Sequence, residues 1–321
     1  MQTAPEISAA APRRPPFARP APPVTGPARC VLPLGAELGE GLLWSVREQM
    51  LYWVDILSRQ LYRWDPRSGA CTCWTFAEEV SAVAERARAP GLVLTLRRGY
   101  ALFDPALGGE PRYLHQPEPE RAGNRFNDGK CDAQGRFWAG SMDFAAEAPT
   151  GALYRLDPDG SCTRHEDGFA VTNGPAWGLG SDARRCAMYF NNTAQGCVYR
   201  YDLDPATGTL SHKQLWKRFG PGEGYPDGMC TDALGRLWIA HWGGGCVSCH
   251  DPDTAEELAR VPLPVSQVTN CTFGGADLRT LYITTARVGL SPAQRAAEPE
   301  AGSLYAVAVD TPGLPAHLYG G

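Results

Sequence analysis

One pattern recurs six times along this chain and leaves few folds open to it. A Gly-containing polar turn leads into an alternating apolar strand, then a short turn and a second, aromatic-rich strand, often closed by Asp-Pro. The copies open at Leu51, Leu92, Phe137, Met188, Leu237 and Leu281, so successive openings lie 41, 45, 51, 49 and 44 residues apart. Asp65-Pro66, Asp104-Pro105, Asp157-Pro158, Asp204-Pro205 and Asp251-Pro252 mark the ends of five copies. A unit of about 40–50 residues with four short antiparallel strands is the size of a propeller blade. The spacing therefore predicts an all-β, six-bladed β-propeller. An early strand over Arg29 to Leu34 would close the ring by joining the blade that ends near Val309, which removes an exposed sheet edge. A parallel α/β barrel would need long apolar helices between its strands, and the sequence has none.

The repeat begins only near residue 29. Residues 1–28 are rich in Ala and Pro with almost no bulky apolar side chains. We expect them to form a flexible, disordered N-terminal extension, and residues 29–321 to form the propeller and carry any catalysis. Arg13-Arg14 resembles a twin-arginine signal, but the Pro-rich stretch that follows is not an apolar core, so no export is expected. The chain carries a formal net charge of −5 and no long basic run, which argues against a nucleic-acid partner. No apolar run approaches the roughly 18 residues needed to cross a membrane. Its 11 cysteines are odd in number and irregularly spaced, as expected of reduced thiols in the cytoplasm. The sequons at Asn191 and Asn270 then carry no glycan. Nothing in the sequence sets an oligomeric state.

Three short segments carry the chemistry: Leu38-Gly39-Glu40-Gly41, Thr172-Asn173-Gly174-Pro175 and Tyr225-Pro226-Asp227-Gly228. Each is expected as a loop entering an inner strand, and each presents one oxygen-bearing side chain beside glycine. Singly they are ordinary turn sequences, because Asn, Asp and Gly all tolerate positive φ. At equivalent points of a ring they converge on one rim, where two carboxylates and an amide suit a hard divalent cation. A fourth segment, Asn124-Arg125-Phe126-Asn127-Asp128-Gly129-Lys130, adds donors and acceptors fit for a polyhydroxylated ligand. Asp132 reads as a turn residue, echoed by Asp232, and stays outside the site.

Other chemistries lack their residues. Cys246-Val247-Ser248-Cys249-His250 matches a haem-attachment signature, but it falls where a blade strand should run. A zinc site there would need two more ligands, and His241 is the only near candidate. Gly-x-Ser-x-Gly, a Walker A loop and a strand-linked Gly-x-Gly-x-x-Gly are all missing, which removes serine-hydrolase and nucleotide readings.

Taken together, Leu38-Gly-Glu-Gly with Trp44, Arg125-Phe-Asn-Asp-Gly-Lys, Thr172-Asn-Gly-Pro, Tyr225-Pro-Asp-Gly-Met and Phe273-Gly-Gly with Leu281-Tyr-Ile-Thr-Thr-Ala resemble the senescence marker protein (regucalcin) and gluconolactonase family. The likeness is nearest to its bacterial sugar lactonases. It implies Glu40, Asn173 and Asp227 as ligands of one divalent cation (calcium, zinc, manganese, magnesium or iron(II)), with Asp227 also the catalytic base. It further implies that Arg125 and Asn127 hold the hydroxyls of a sugar lactone such as an arabinono-, xylono-, galactono- or gluconolactone, with Asp128 and Lys130 beside them. Asp143 and Glu147 compete for one further substrate contact. Leu42 departs from the usual proline. Alternatives on the same fold are a hydrolase of other esters and a non-catalytic calcium-binding propeller.

Overall fold

The computed structural model describes residues 19–182 and 185–321. Most of the expected extension, including Arg13-Arg14, lies outside them. Within them, 24 strands form six four-stranded antiparallel sheets. Five sheets are built from strands in chain order. The sixth joins the ends of the chain, with Val24–Leu32 paired outside Leu304–Val309 in the register Cys30↔Tyr305. The ring is thus closed by the early strand, which starts four residues before the boundary expected at residue 28. A single short α-helix, Pro292–Ala297, carries a capping box between Ser291 and Gln294.

The innermost strands of the six blades are Gly39–Ser45, Val80–Glu85, Asn124–Cys131, Thr172–Asp182, Tyr225–Thr231 and Val268–Gly274, and they pack side by side around the central axis. The apolar openings of the repeat, Leu51 through Leu281, fall on the second strand of each blade. Leu92–Leu96 is one of these, buried at every residue, as a strand covered on both faces must be. Between blades the cores are mixed aliphatic and aromatic, for example Tyr52, Val54, Val83 and Leu94 between the first and second. Each fully buried Leu or Val contributes about 1.5–3 kcal/mol of transfer free energy.

The polar repeat residues serve turns. The Asp of Asp-Pro caps the turn to the outer strand, as Asp104 does by accepting from the Ala106 N–H and Asp204 from that of Ala206. Asp132 and Asp232 do the same work between first and second strands, and each also binds a buried Arg and Trp. Asp232 accepts from Arg236 Nε at 2.7 Å and Trp238 Nε1 at 3.0 Å. Their place outside the site follows from these bonds.

The haem-like signature is the third strand of the fifth blade, Cys246–His250, buried throughout. Ser248 Oγ lies between the rings of His241 and His250, 2.6 and 2.7 Å from their Nε2 atoms. Both imidazoles are engaged in this buried hydrogen-bonded chain.

Candidate functional site

The segments expected as entering loops are themselves the innermost strands. Glu40, Arg125, Asn127, Asp128, Asn173 and Asp227 all lie in strand residues. What the glycines and prolines produce is not a loop but a break in register at the rim end of each strand. All six innermost strands carry one, among them Glu40/Leu43, Phe126/Gly129, Asn173/Ala176 and Pro226/Met229. Such a bulge re-aims a side chain that strict alternation would send into the neighbouring blade. Gly41 and Gly174, at φ of 61° and 82°, supply the left-handed backbone that two of these breaks need.

Asp55, on the second strand of the first blade, accepts the backbone N–H groups of Glu37 and Leu38 at 2.9 and 3.0 Å and so fixes the approach to Glu40. Oε2 of Glu40 then accepts the Gly41 N–H at 3.0 Å, and its carboxyl group is electrostatically linked to that of Asp227. Asn127 donates through Nδ2 to Asn173 Oδ1 at 3.0 Å and to the Thr172 carbonyl at 2.6 Å, which ties the third blade to the fourth. Arg125 donates to Asn127 Oδ1 at 2.6 Å. Asn173 donates in turn to Thr193 Oγ1, which donates to the Pro226 carbonyl beside Asp227. The five residues Glu40, Arg125, Asn127, Asn173 and Asp227 thus form one connected polar cluster drawn from four blades.

All of these side chains are buried, and so is Asp128. Burial is the main reason that the Glu40 carboxyl is pushed up to about 8, with the Asp128 charge adding to it. Asp227 is driven well above the ordinary carboxylate range by burial and by Glu40 and Asp128 together. Burial brings Arg125 down to about 10 against the opposing pull of Glu40, Glu79 and Asp227. Burial thus raises all three carboxyl groups, Glu40, Asp128 and Asp227, toward their neutral forms.

The donor set fits a divalent ion by its chemistry: two carboxylates and an amide oxygen, all hard. Among the described residues no cluster of three or more His, Cys, Asp or Glu is arranged to hold a metal. Asn191 is a further buried polar group at this point. Its Nδ2 donates to the Asp227 carbonyl at 2.6 Å, while its Oδ1 has no partner.

Asp128 and Lys130 lie deeper. Asp128 accepts the N–H groups of Gly129 and Gly174 at 2.8 and 3.0 Å. Lys130 Nζ is 3.9 Å from Asp128 Oδ2, donates to the Met229 carbonyl, and lines a cavity together with Leu314 to His317. Asp143 spends one carboxylate oxygen, Oδ2, on the backbone N–H groups of Glu147 and Ala148, which holds it below the usual carboxylate range. Glu147 is exposed on that same loop. At the rim the half-exposed Phe144 ring faces the guanidinium groups of both Arg97 and Arg125, at 5.0 and 5.9 Å.

Sequence reasoning passed over Asn191, Thr193 and Asn270. The first and last were visible only as sequons, yet both are fully buried beside the cluster. Asn191 lies on the second strand of the fourth blade and Asn270 on the innermost strand of the sixth, neither beside a glycine in sequence.

With this geometry in place, comparison with known proteins gives one consistent result. The SMP-30/Gluconolactonase/LRE-like region matches residues 38–287. The chain is 36% identical over 294 residues to a 6-deoxy-6-sulfogluconolactonase of Pseudomonas putida, covering 91% of this chain and 98% of that one. It is 35% identical over 295 residues to regucalcin of Danio rerio, covering 91% and 98%. Among solved structures, a calcium-binding protein, regucalcin, from Agrobacterium tumefaciens superposes with a TM-score of 0.85 at 27% identity, covering 94% of this chain and 99% of that one. The chain belongs to the SMP-30/gluconolactonase/LRE-like family.

Proposed function

We propose that this protein hydrolyses a sugar lactone to its aldonic acid at the polar cluster on the channel rim, within residues 29–321. The observation that carries the reading is the buried union of Glu40, Asn173 and Asp227 with the donors Arg125 and Asn127. Family membership and the lactonase relative support the same reaction class. Glu40, Asn173 and Asp227 would hold the divalent cation, which when bound supplies Lewis-acid polarisation of the lactone carbonyl.

Each remaining step belongs to the chain's own side chains. Arg125, locked to Asn127, presents its remaining N–H donors and Asn127 the free lone pair of its Oδ1 to the ring hydroxyls, which sets the face on which the lactone lies. The Asp227 carboxylate takes a proton from the attacking water. Asp128 and Lys130 act beneath them, where the partly exposed Lys130 ammonium offsets the charge of the buried Asp128. A ring ester is already activated, so this positioning suffices without a covalent nucleophile. The 11 free thiols suit a reducing compartment, and we place the reaction in the cytoplasm.

The test is acid release from a panel of arabinono-, xylono-, galactono- and gluconolactones by the purified protein. Turnover of at least one, abolished in Asp227→Ala, is the expected outcome. The regucalcin likeness favours one other reading, a calcium-binding propeller without turnover. That reading predicts cation binding with no acid release from any lactone.

A further inference from the structure

The sixth blade contributes no residue to the cation-binding set proposed above, yet its innermost strand sends one side chain into it. Asn270 is fully buried. Its Nδ2 donates to Glu40 Oε2 at 2.8 Å. One side chain of the sixth blade therefore holds a carboxyl group of the first.

Three observations fix that amide in one orientation. Its Oδ1 accepts the Cys271 N–H at 2.8 Å, so a flipped amide would set oxygen against the Glu40 carboxyl group and N–H against N–H. Glu40 Oε2 receives both available N–H donors, from Gly41 and Asn270, and Oε1 receives none among the described residues. The amide also lies flat on the backbone next to Asp227: a Cβ at Gly228 would come within 2.2 Å of Asn270 Cγ. Gly228 does not have a positive φ. Its lack of a side chain makes room for Asn270, so the glycine of Pro226-Asp227-Gly228 serves the amide and not a turn.

We infer that Asn270 is a positioning residue for the cation site: it occupies Oε2 of Glu40 and so leaves Oε1 to face the cation. This rests on the reading of Glu40, Asn173 and Asp227 as cation ligands. A residue with a merely structural role would affect stability and leave cation affinity alone. Partners that orient metal ligands change affinity by about 10- to 100-fold when removed.

The experiment is calorimetric titration of calcium and of manganese(II) into the chelator-stripped full chain, without lactone, for the parent, Asn270→Asp, Asn270→Ser and Glu40→Gln. Both Asn270 variants should bind about 10- to 100-fold more weakly. Asn270→Ser should keep the parent's circular dichroism and recover most of its turnover once cation is saturating. Should Asn270→Asp not fold, Asn270→Ser decides alone. Affinity within twofold of the parent in a folded Asn270 variant, while Glu40→Gln loses binding, overturns the assignment. Parent-like binding by Glu40→Gln removes the ligand reading itself, and the role of Asn270 with it.

Discussion

Asp227 is assigned two tasks, ligand and base, and Asp227→Asn separates them. The substitution is isosteric and leaves the backbone carbonyl of residue 227, which accepts from Asn191, unchanged. It also deletes one of three carboxyl groups that repel one another out of water, so the cation-free variant should melt no lower than the parent. Losing a positioned base costs about 10²–10⁴ in rate, or roughly 3–5 kcal/mol of transition-state stabilisation. Initial rates of acid release, followed with a pH indicator at rising cation concentration, distinguish the tasks. A ligand-only role predicts that excess cation restores turnover, because the amide oxygen still binds weakly. The dual role predicts that kcat at saturating cation stays at least about a hundredfold below the parent. Recovery to more than about a tenth of the parental kcat would refute the assignment of Asp227 as base.

Arg125→Lys loses the fixed guanidinium that joins Asn127 to the rim, and charge-assisted bonds of this kind are worth about 1.5–3 kcal/mol. KM should rise about 10- to 150-fold with a smaller change in kcat, as steady-state kinetics would show. Asp232→Ala strands the fully buried Arg236 and frees Trp238 Nε1, and should cost about 3–5 kcal/mol in urea denaturation while leaving turnover at low temperature intact. Acid should destabilise the fold through the fifth blade. Burial lowers His241 to about 4 and His250 to about 3, so between these values and the unfolded pKa near 6.5 the unfolded chain binds more protons. Stability from this source is complete above about pH 6.5 and falls as pH drops toward 4. It should be lower by about 2 kcal/mol per histidine at about pH 5, read by urea unfolding at both pH values.

The repeat made the fold legible because each blade must hide both faces of its second strand, and that demand writes an apolar run at a fixed period. Ring closure was legible for the same reason, since an unpaired edge on Leu304–Val309 would be left without Val24–Leu32. The cluster was legible where an acid or amide stood beside glycine, at Glu40, Asn173 and Asp227. The reason given for those glycines holds only in part. Gly41 and Gly174 supply positive φ, whereas Gly228 gives way to a neighbouring side chain. Asn270 and Asn191 escaped notice because their partners are a carboxylate 230 residues away and a carbonyl 36 residues away. No local pattern encodes such a contact. Lys130 was read with Arg125 and Asn127 from its place in one segment, but the bulge between Phe126 and Gly129 and the strand's course carry it toward the cavity that it lines together with Leu314 to His317.

Chelation tests the proposed chemistry most directly. Purified protein is assayed for acid release on a lactone it turns over, then stripped with chelator, then resupplied with calcium, magnesium, manganese, zinc or iron(II) one at a time. Cation-dependent hydrolysis at the Glu40, Asn173 and Asp227 cluster predicts loss of turnover on stripping and its return with at least one of these ions, in the parent but not in Glu40→Gln. Full turnover by the stripped protein would contradict it.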